Sequence, residues 1–313
     1  MAEKKRFLVA IDGSAESKSL VRYVSGILSP VNTELIMLHI LNKVPEAYWD
    51  FGSGFEVDSL SKKIIRQVKA HEEAIKGLMT ELKTLLLQAN FREENVSIYI
   101  KDRDVGIARD IVAEAVRGYN GLIMGCTGAG RMRGLAVGSV STKIIGAMSS
   151  IPICVVSGSP TGKNVIVALD GSPGSMKALD YACWLMNGSK EKVILFHALR
   201  RIGYLNPSTG NLAAFDEMEK ALWADIQKML EPTIAEAKNR LARAGRAEDS
   251  IITKIATGVP SRAGALIEQA MKSDCGSIIV GRTGVSQVED FNIGRVANKV
   301  VQGARNQAVW IIP

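Results

Sequence analysis

Gly125-Cys126-Thr127-Gly128, nine further residues, then Gly138-Ser139: this stretch decides how the chain is read. The apolar run Leu122-Ile123-Met124 leads into it, and Lys143-Ile144-Ile145 with Met148 follows it. The pattern predicts a buried strand, a glycine-rich loop and a helix. Glycine lets the backbone take φ > 0 and approach a ligand closely. A helix N-terminus offers unpaired N–H groups to anions. Ser139 starts that helix, where its hydroxyl can cap the backbone or bond a phosphate oxygen. The arrangement suits the phosphate tail of a nucleotide.

The same spacing returns at Gly281, Gly284 and Gly294, with Arg295 where the first copy has Ser139. Other segments repeat with it. Phe7-Leu8-Val9-Ala10-Ile11 runs into Asp12-Gly13-Ser14, and Val165-Ile166-Val167-Ala168-Leu169 runs into Asp170-Gly171-Ser172. Asp12 and Asp170 are 158 positions apart, and Gly125 and Gly281 are 156 apart. Near-constant spacing over almost the whole chain means tandem duplication. The predicted domains are residues 1–157 and 163–313, joined by Gly158-Ser159-Pro160-Thr161-Gly162.

Each half alternates strand and helix. The continuous apolar strands suit a parallel sheet buried on both faces, with right-handed crossovers. In the first half, strands are expected at Phe7–Ile11, Glu34–Ile40, Val96–Ile100, Leu122–Met124 and Ile153–Val156. A long amphipathic helix covers roughly Ser59 to Ala89. Its counterpart, Asp216 to Ala244, holds Pro232, which predicts a kink or restart. Ser14 and Ser172 are candidate N-caps, the latter followed by Pro173 at the favoured first helical position. In such sheets ligands sit beyond the strands' carboxyl ends, where the strand order reverses. Asp12 and Gly125 end the first and fourth strands.

Glycine, two residues, glycine, nine residues, then glycine with Ser or Thr resembles the ATP-binding signature of the universal stress protein family. The first copy matches every defined position; the second departs at Arg295. The resemblance covers nearly all 313 residues. It implies two tandem α/β domains, each a five-stranded parallel sheet with helices on both faces, of the adenine nucleotide alpha hydrolase-like type. It implies that Ala10, Ile11, Asp12 and Ile40 line the adenine and ribose end. Met124, Gly125, Gly128, Gly138, Ser139, Val140 and Ser141 would hold ribose and phosphates. The matching second set is Ala168, Leu169, Asp170, Val280, Gly281, Gly284, Gly294 and Arg295. Arg295 either obstructs the phosphate space or replaces the hydroxyl as a phosphate ligand. The second loop carries Glu289 and Asp290 and the first carries Arg131 and Arg133, a charge reversal that disfavours a triphosphate in the second pocket. The resemblance further implies ATP as a regulator, with Mg²⁺ carried through the phosphates and at most slow hydrolysis or self-phosphorylation. Family dimers pair their terminal strands, so Ile153–Val156 and Val309–Ile312 are expected to meet in an intrachain pseudo-dimer. Association into a homo-oligomer is left open.

Composition agrees with a globular chain: 47% hydrophobic and 23% charged residues. No apolar run approaches the roughly 18 residues of a membrane span. No signal peptide is visible after Met1, so a cytoplasmic location is the default. The net charge of +7 divides evenly, with 20 basic and 17 acidic residues up to Ser157 and 19 and 15 beyond it. There is no basic arm, which argues against nucleic acid as a partner. Cys126, Cys154, Cys183 and Cys275 are too dispersed for a metal knuckle and read as buried thiols, with Cys126, in the glycine loop, the one placed to react or to touch a ligand. His39 and His197 occupy equivalent strand ends, which favours packing over metal binding. No Ser-His-Asp set or carboxylate pair is marked out.

Two other phosphate motifs fail. A Rossmann turn would follow the first strand. Gly158 to Lys163 has the wrong spacing for a P-loop and precedes a strand. The competing functions are an ATP-using transferase or pyrophosphatase of the wider adenine-binding α/β group, and an interaction scaffold without nucleotide. The aromatic loop around Tyr48 and Trp49 either covers the ligand or pins its own loop.

Overall fold

The computed structural model describes residues 4–42, 55–127, 137–201, 212–284 and 292–313. The first half runs β1 (Lys5–Ala10), α1 (Ser17–Ile27), β2 (Thr33–Leu41), α2 (Phe55–Gln88), β3 (Val96–Asp102), α3 (Ile107–Ala115), β4 (Gly121–Gly125), α4 (Ser139–Ala147) and β5 (Ile153–Ser157). The second half repeats it as β6 (Asn164–Ala168), α5 (Pro173–Leu185), β7 (Val193–Arg200), α6 (Leu212–Arg243), β8 (Ile251–Val259), α7 (Arg262–Lys272), β9 (Cys275–Gly281), α8 (Arg295–Gly303) and β10 (Gln307–Ile312).

All ten strands form one sheet, in the order β3-β2-β1-β4-β5-β10-β9-β6-β7-β8. Each set of five is parallel throughout, and the two sets join where β5 and β10 pair antiparallel. The terminal strands therefore meet, and each covers an edge that the other half would otherwise leave open. Cys154 stands opposite Trp310 in this register. In each half the order reverses beside the first strand, between β1 and β4 and between β6 and β9.

Alternation along the strands supplies two cores, one on each face. Phe7, Val9 and Ile123 pack with Leu20, Val24 and Leu82 on one side. Leu8, Leu122 and Met124 pack with Ile111 and Ile144 on the other. The second half does likewise: Val165 and Val167 face Leu179 and Leu241, while Ile166 and Ile278 face Leu266 and Val300.

Two local expectations are corrected. The helix does not restart at Pro232; α6 runs through it from Leu212 to Arg243. Pro232 is exposed, so the helix carbonyl that loses its donor faces water. Ser14 does not cap α1; that helix starts later, at Ser17, without a side-chain cap. Ser172 does cap α5, its hydroxyl accepting from the Ser175 amide, with Pro173 in the first turn. Among the described residues no helix is long and apolar enough to cross a membrane.

Candidate functional site

At the carboxyl ends of β1 and β4 a crevice opens in the first half. Ala10, Asp12, Glu16, Gly125, Thr127 and Gly158 are among its lining residues. Ala10 and Met124 are register partners across β1 and β4, so the switch point itself puts Asp12 beside Gly125. Asp12 is exposed and organises the turn. Its Oδ1 accepts from the Ser14 amide at 3.0 Å, the Ser14 hydroxyl at 2.8 Å and the Ser17 hydroxyl at 3.0 Å. Its Oδ2 makes no such bond to a described residue. Ser14, read above as a helix cap, thus serves the aspartate instead.

The base of the first glycine loop is pinned. The Gly138 amide donates to the Cys126 carbonyl at 2.8 Å. The buried Ser141 hydroxyl donates to the Gly125 carbonyl at 2.9 Å, tying the first turn of α4 to the end of β4. Ser141 is therefore a positioning residue with its proton already engaged. Ser139 is the first residue of α4, exposed, with no side-chain cap bond, and Val140 beside it is half-buried. Gly138 holds the N-cap position. The N-terminal amides of α4 are thus presented beyond β4, where an anion gains from the helix dipole.

The remaining first-half residues lie deeper. Ile11, Ile40 and Met124 are buried side chains of the two cores. Gly128, Arg131, Arg133, Tyr48 and Trp49 lie outside the described residues, as do Glu289 and Asp290 of the second loop. Cys126 lines the crevice, as its place in the glycine loop suggested, and Glu16, Ser17, Leu20 and Val156 join it without having been legible in the sequence.

His39 Nδ1 bonds the Ile11 carbonyl at 2.8 Å, and His197 Nδ1 bonds the Leu169 carbonyl at 2.6 Å. A carbonyl can only accept, so Nδ1 carries the proton in both rings. Both imidazoles pin the turn that follows β1 or β6. Burial is the main reason their pKa values are lowered. Burial also pushes the Cys126 thiol upward, so this loop cysteine is held as the neutral thiol. Among the described residues no group of His, Cys, Asp and Glu is arranged to hold a metal ion.

The second half brings its matching residues together and closes on them. Ala168 ends β6 with Leu169 and Asp170 following it, and Val280 and Gly281 end β9. Helix α5 begins at Pro173, two positions earlier in the repeat than α1 does at Ser17. Gly174 consequently sits against the Thr283 carbonyl with no room for a β-carbon. A β-carbon on Gly281 would stand 2.6 Å from the Gly174 carbonyl, and one on Gly284 would stand 3.0 Å from Asp170 Oδ2. By contrast, the nearest atom to a β-carbon on Gly125 would be the Thr127 carbonyl oxygen at 3.5 Å. Arg295 is the first residue of α8 and exposed, and the Gly294 amide donates to the Arg282 carbonyl at 2.7 Å. The start of α5 thus packs on the end of β9 and on Thr283, where in the first half Glu16 and Thr127 line the crevice.

The model of the Universal stress protein family matches this chain twice, over residues 4–157 and 162–313. A universal stress protein of Mycolicibacterium smegmatis is 21% identical over 313 residues, covering 98% of this chain and 96% of that protein. The crystal structure of a universal stress protein from Archaeoglobus fulgidus superposes with a TM-score of 0.60 at 18% identity, covering 99% of this chain and 96% of that one. A putative universal stress protein from Pseudomonas aeruginosa gives a TM-score of 0.57 at 16% identity, covering 99% and 93%. At these identities the structures speak for the shared fold.

Proposed function

The chain belongs to the universal stress protein family, and from that premise we propose that its first half binds one adenine nucleotide, ATP, as a regulatory ligand in stress response or signalling. The observation that carries this reading is the open crevice between Asp12 and Gly125, with the N-terminus of α4 directed beyond β4. Asp12 Oδ2 accepts from an adenine amino group or a ribose hydroxyl. The α4 amides and the glycine loop meet the phosphates, and Mg²⁺ arrives with the triphosphate.

The nucleotide is bound rather than consumed. The Cys126 thiol is held neutral, and His39 Nδ1 is engaged with Ile11. Turnover is at most slow hydrolysis or self-phosphorylation. The close packing of Gly174 on Thr283 and Gly281 in the second half supports a stoichiometry of one nucleotide per chain. The protein acts in the cytoplasm.

The test is mass spectrometry of small molecules released from the purified protein, followed by calorimetry with ATP. Co-purified adenine nucleotide and saturable ATP binding support the reading. Protein that releases none and binds none overturns it, and multiple turnover with a defined acceptor would make it an enzyme instead.

A further inference from the structure

The far end of α4 is held by the other half of the chain. Arg282 Nη2 donates to the Ile145 carbonyl at 2.6 Å, and Asn292 Nδ2 donates to the Gly146 carbonyl at 3.0 Å. These carbonyls lie in the last turn of α4, where intrahelical donors run out. Both side chains come from the second glycine loop, one from each stem. Arg282 is only 6% exposed. Among the described residues no carboxylate forms an ion pair with it, and burial alone pulls its pKa down. A buried cation without an acid partner is unfavourable unless something else compensates it. Here the compensation is the negative end of a helix dipole.

The arrangement does not run both ways. The repeat places Cys126 where the second half has Arg282. The corresponding helix, α8, is served at its end by its own neighbour: Arg305 Nη1 donates to the Gln302 and Ala304 carbonyls, both at 2.9 Å. The half that packs closely at Gly174 therefore supports the helix of the half whose crevice is open.

We propose that the second glycine loop serves as a brace for the phosphate-binding helix of the first half, with Arg282 as a positioning residue for the nucleotide's phosphates. This rests on the nucleotide reading above. Nine residues make α4 about 13 Å long, so Arg282 acts through the helix and never touches ligand. It fixes the direction of the N-terminal amides, and its charge offsets the negative pole of α4, leaving the positive potential that attracts an anion at the N-terminus less opposed. The consequence is specific to phosphate. Adenosine, which lacks the anion, gains nothing from the brace.

The experiment is calorimetry of the full chain with ATP and with adenosine, comparing wild type, Arg282→Met and Arg282→Lys. Methionine keeps an unbranched apolar stem in the buried slot and removes the donor and the charge. The expected result is ATP binding weakened about 3- to 10-fold in Arg282→Met, adenosine binding unchanged, and partial rescue of ATP binding in Arg282→Lys. Equal losses for ATP and adenosine, or unchanged ATP affinity in a folded variant, overturn the proposal. Should Arg282→Met fail to fold, Asn292→Ala on the exposed rim carries the same test. A selective loss of about twofold for ATP supports the brace and none overturns it. Wild type binding neither ligand overturns the nucleotide reading itself, and the brace with it.

Discussion

Gly174 lies directly against the backbone carbonyl of Thr283, and this contact closes the second crevice. In the first half the equivalent position is Glu16, which lines open space. Adding a methyl group at 174 forces two backbone segments apart, an overpacking that costs about 1–3 kcal/mol. Gly174→Ala is therefore expected to lower the urea midpoint while leaving ATP affinity in the first half unchanged. The check is equilibrium denaturation with calorimetry on the same protein. Full stability in Gly174→Ala would mean that the second crevice is looser than this contact requires.

Asp12 has two roles on two oxygens. Oδ1 holds the turn through Ser14 and Ser17, and Oδ2 is left for the ligand. Asp12→Asn keeps one acceptor oxygen and replaces the other with a donor. It is expected to keep most of the stability and to weaken ATP at least tenfold, because a donor then faces a ligand donor. Asp12→Ala is expected to lose both, with about 1–2 kcal/mol of stability removed along with the turn. Two variants with identical affinity losses and identical stability would show that the carboxylate serves only the turn.

The fold was legible because its strands are continuous apolar runs and because every run occurs twice. Phe7–Ile11 and Val165–Leu169 could hardly be anything but central parallel strands, and the short terminal runs ending in Val156 and Ile312 implied each other as partners. Local chemistry was less secure. Ser14 and Ser172 read alike as caps, yet only Ser172 is followed by proline, and only Ser172 caps a helix. Without that proline the turn relaxes and Asp12 claims the serine. Pro232 read as a point of restart because its missing N–H is visible in sequence while its exposure is not. The site divided in the same way. Asp12 and Gly125 follow from strand ends, but the contact of Gly174 with Thr283 and the bond of Arg282 to Ile145 join residues more than a hundred positions apart. No local pattern encodes those contacts, since they depend on how loops from different crossovers stack.

The two strand-end histidines give stability a pH dependence with a definite sign. Burial lowers the pKa of His39 and His197 below the ordinary value near 6.5. The unfolded chain then binds more protons than the folded one as the pH falls through that range. Stability is full above about pH 6.5 and declines as the pH drops toward the lowered folded-state values. Urea midpoints measured at about pH 7.5 and about pH 5.5 should show the fall. His39→Asn, which keeps a donor for the Ile11 carbonyl but does not titrate, should make the decline shallower. An unchanged slope in that variant would remove His39 as a contributor.

The join between the halves is held by a buried polar chain inside an aromatic cluster. Trp310 Nε1 donates to the Tyr23 hydroxyl at 2.8 Å, and that hydroxyl bonds Ser277 Oγ at 2.8 Å. Tyr23 belongs to α1 of the first half, whereas Trp310 and Ser277 belong to the second. Phe7 and Tyr181 pack on the Trp310 ring, with centroids 6.1 Å and 5.5 Å away. Cys154 opposite Trp310 supplies a small side chain where the other half supplies a large one. The two faces are thus complementary to each other and not to themselves. Tyr23→Phe leaves the indole N–H and the Ser277 hydroxyl without their partner in a site closed to water, which costs about 1–3 kcal/mol. Ser277→Ala removes only the second bond and should cost less. Because the three groups share one chain, the Tyr23→Phe, Ser277→Ala double variant should lose less than the sum of the singles, with a coupling of about 0.5 kcal/mol or more. Strict additivity across that cycle, measured by urea denaturation, would show that the hydroxyl of Tyr23 does not link the two halves.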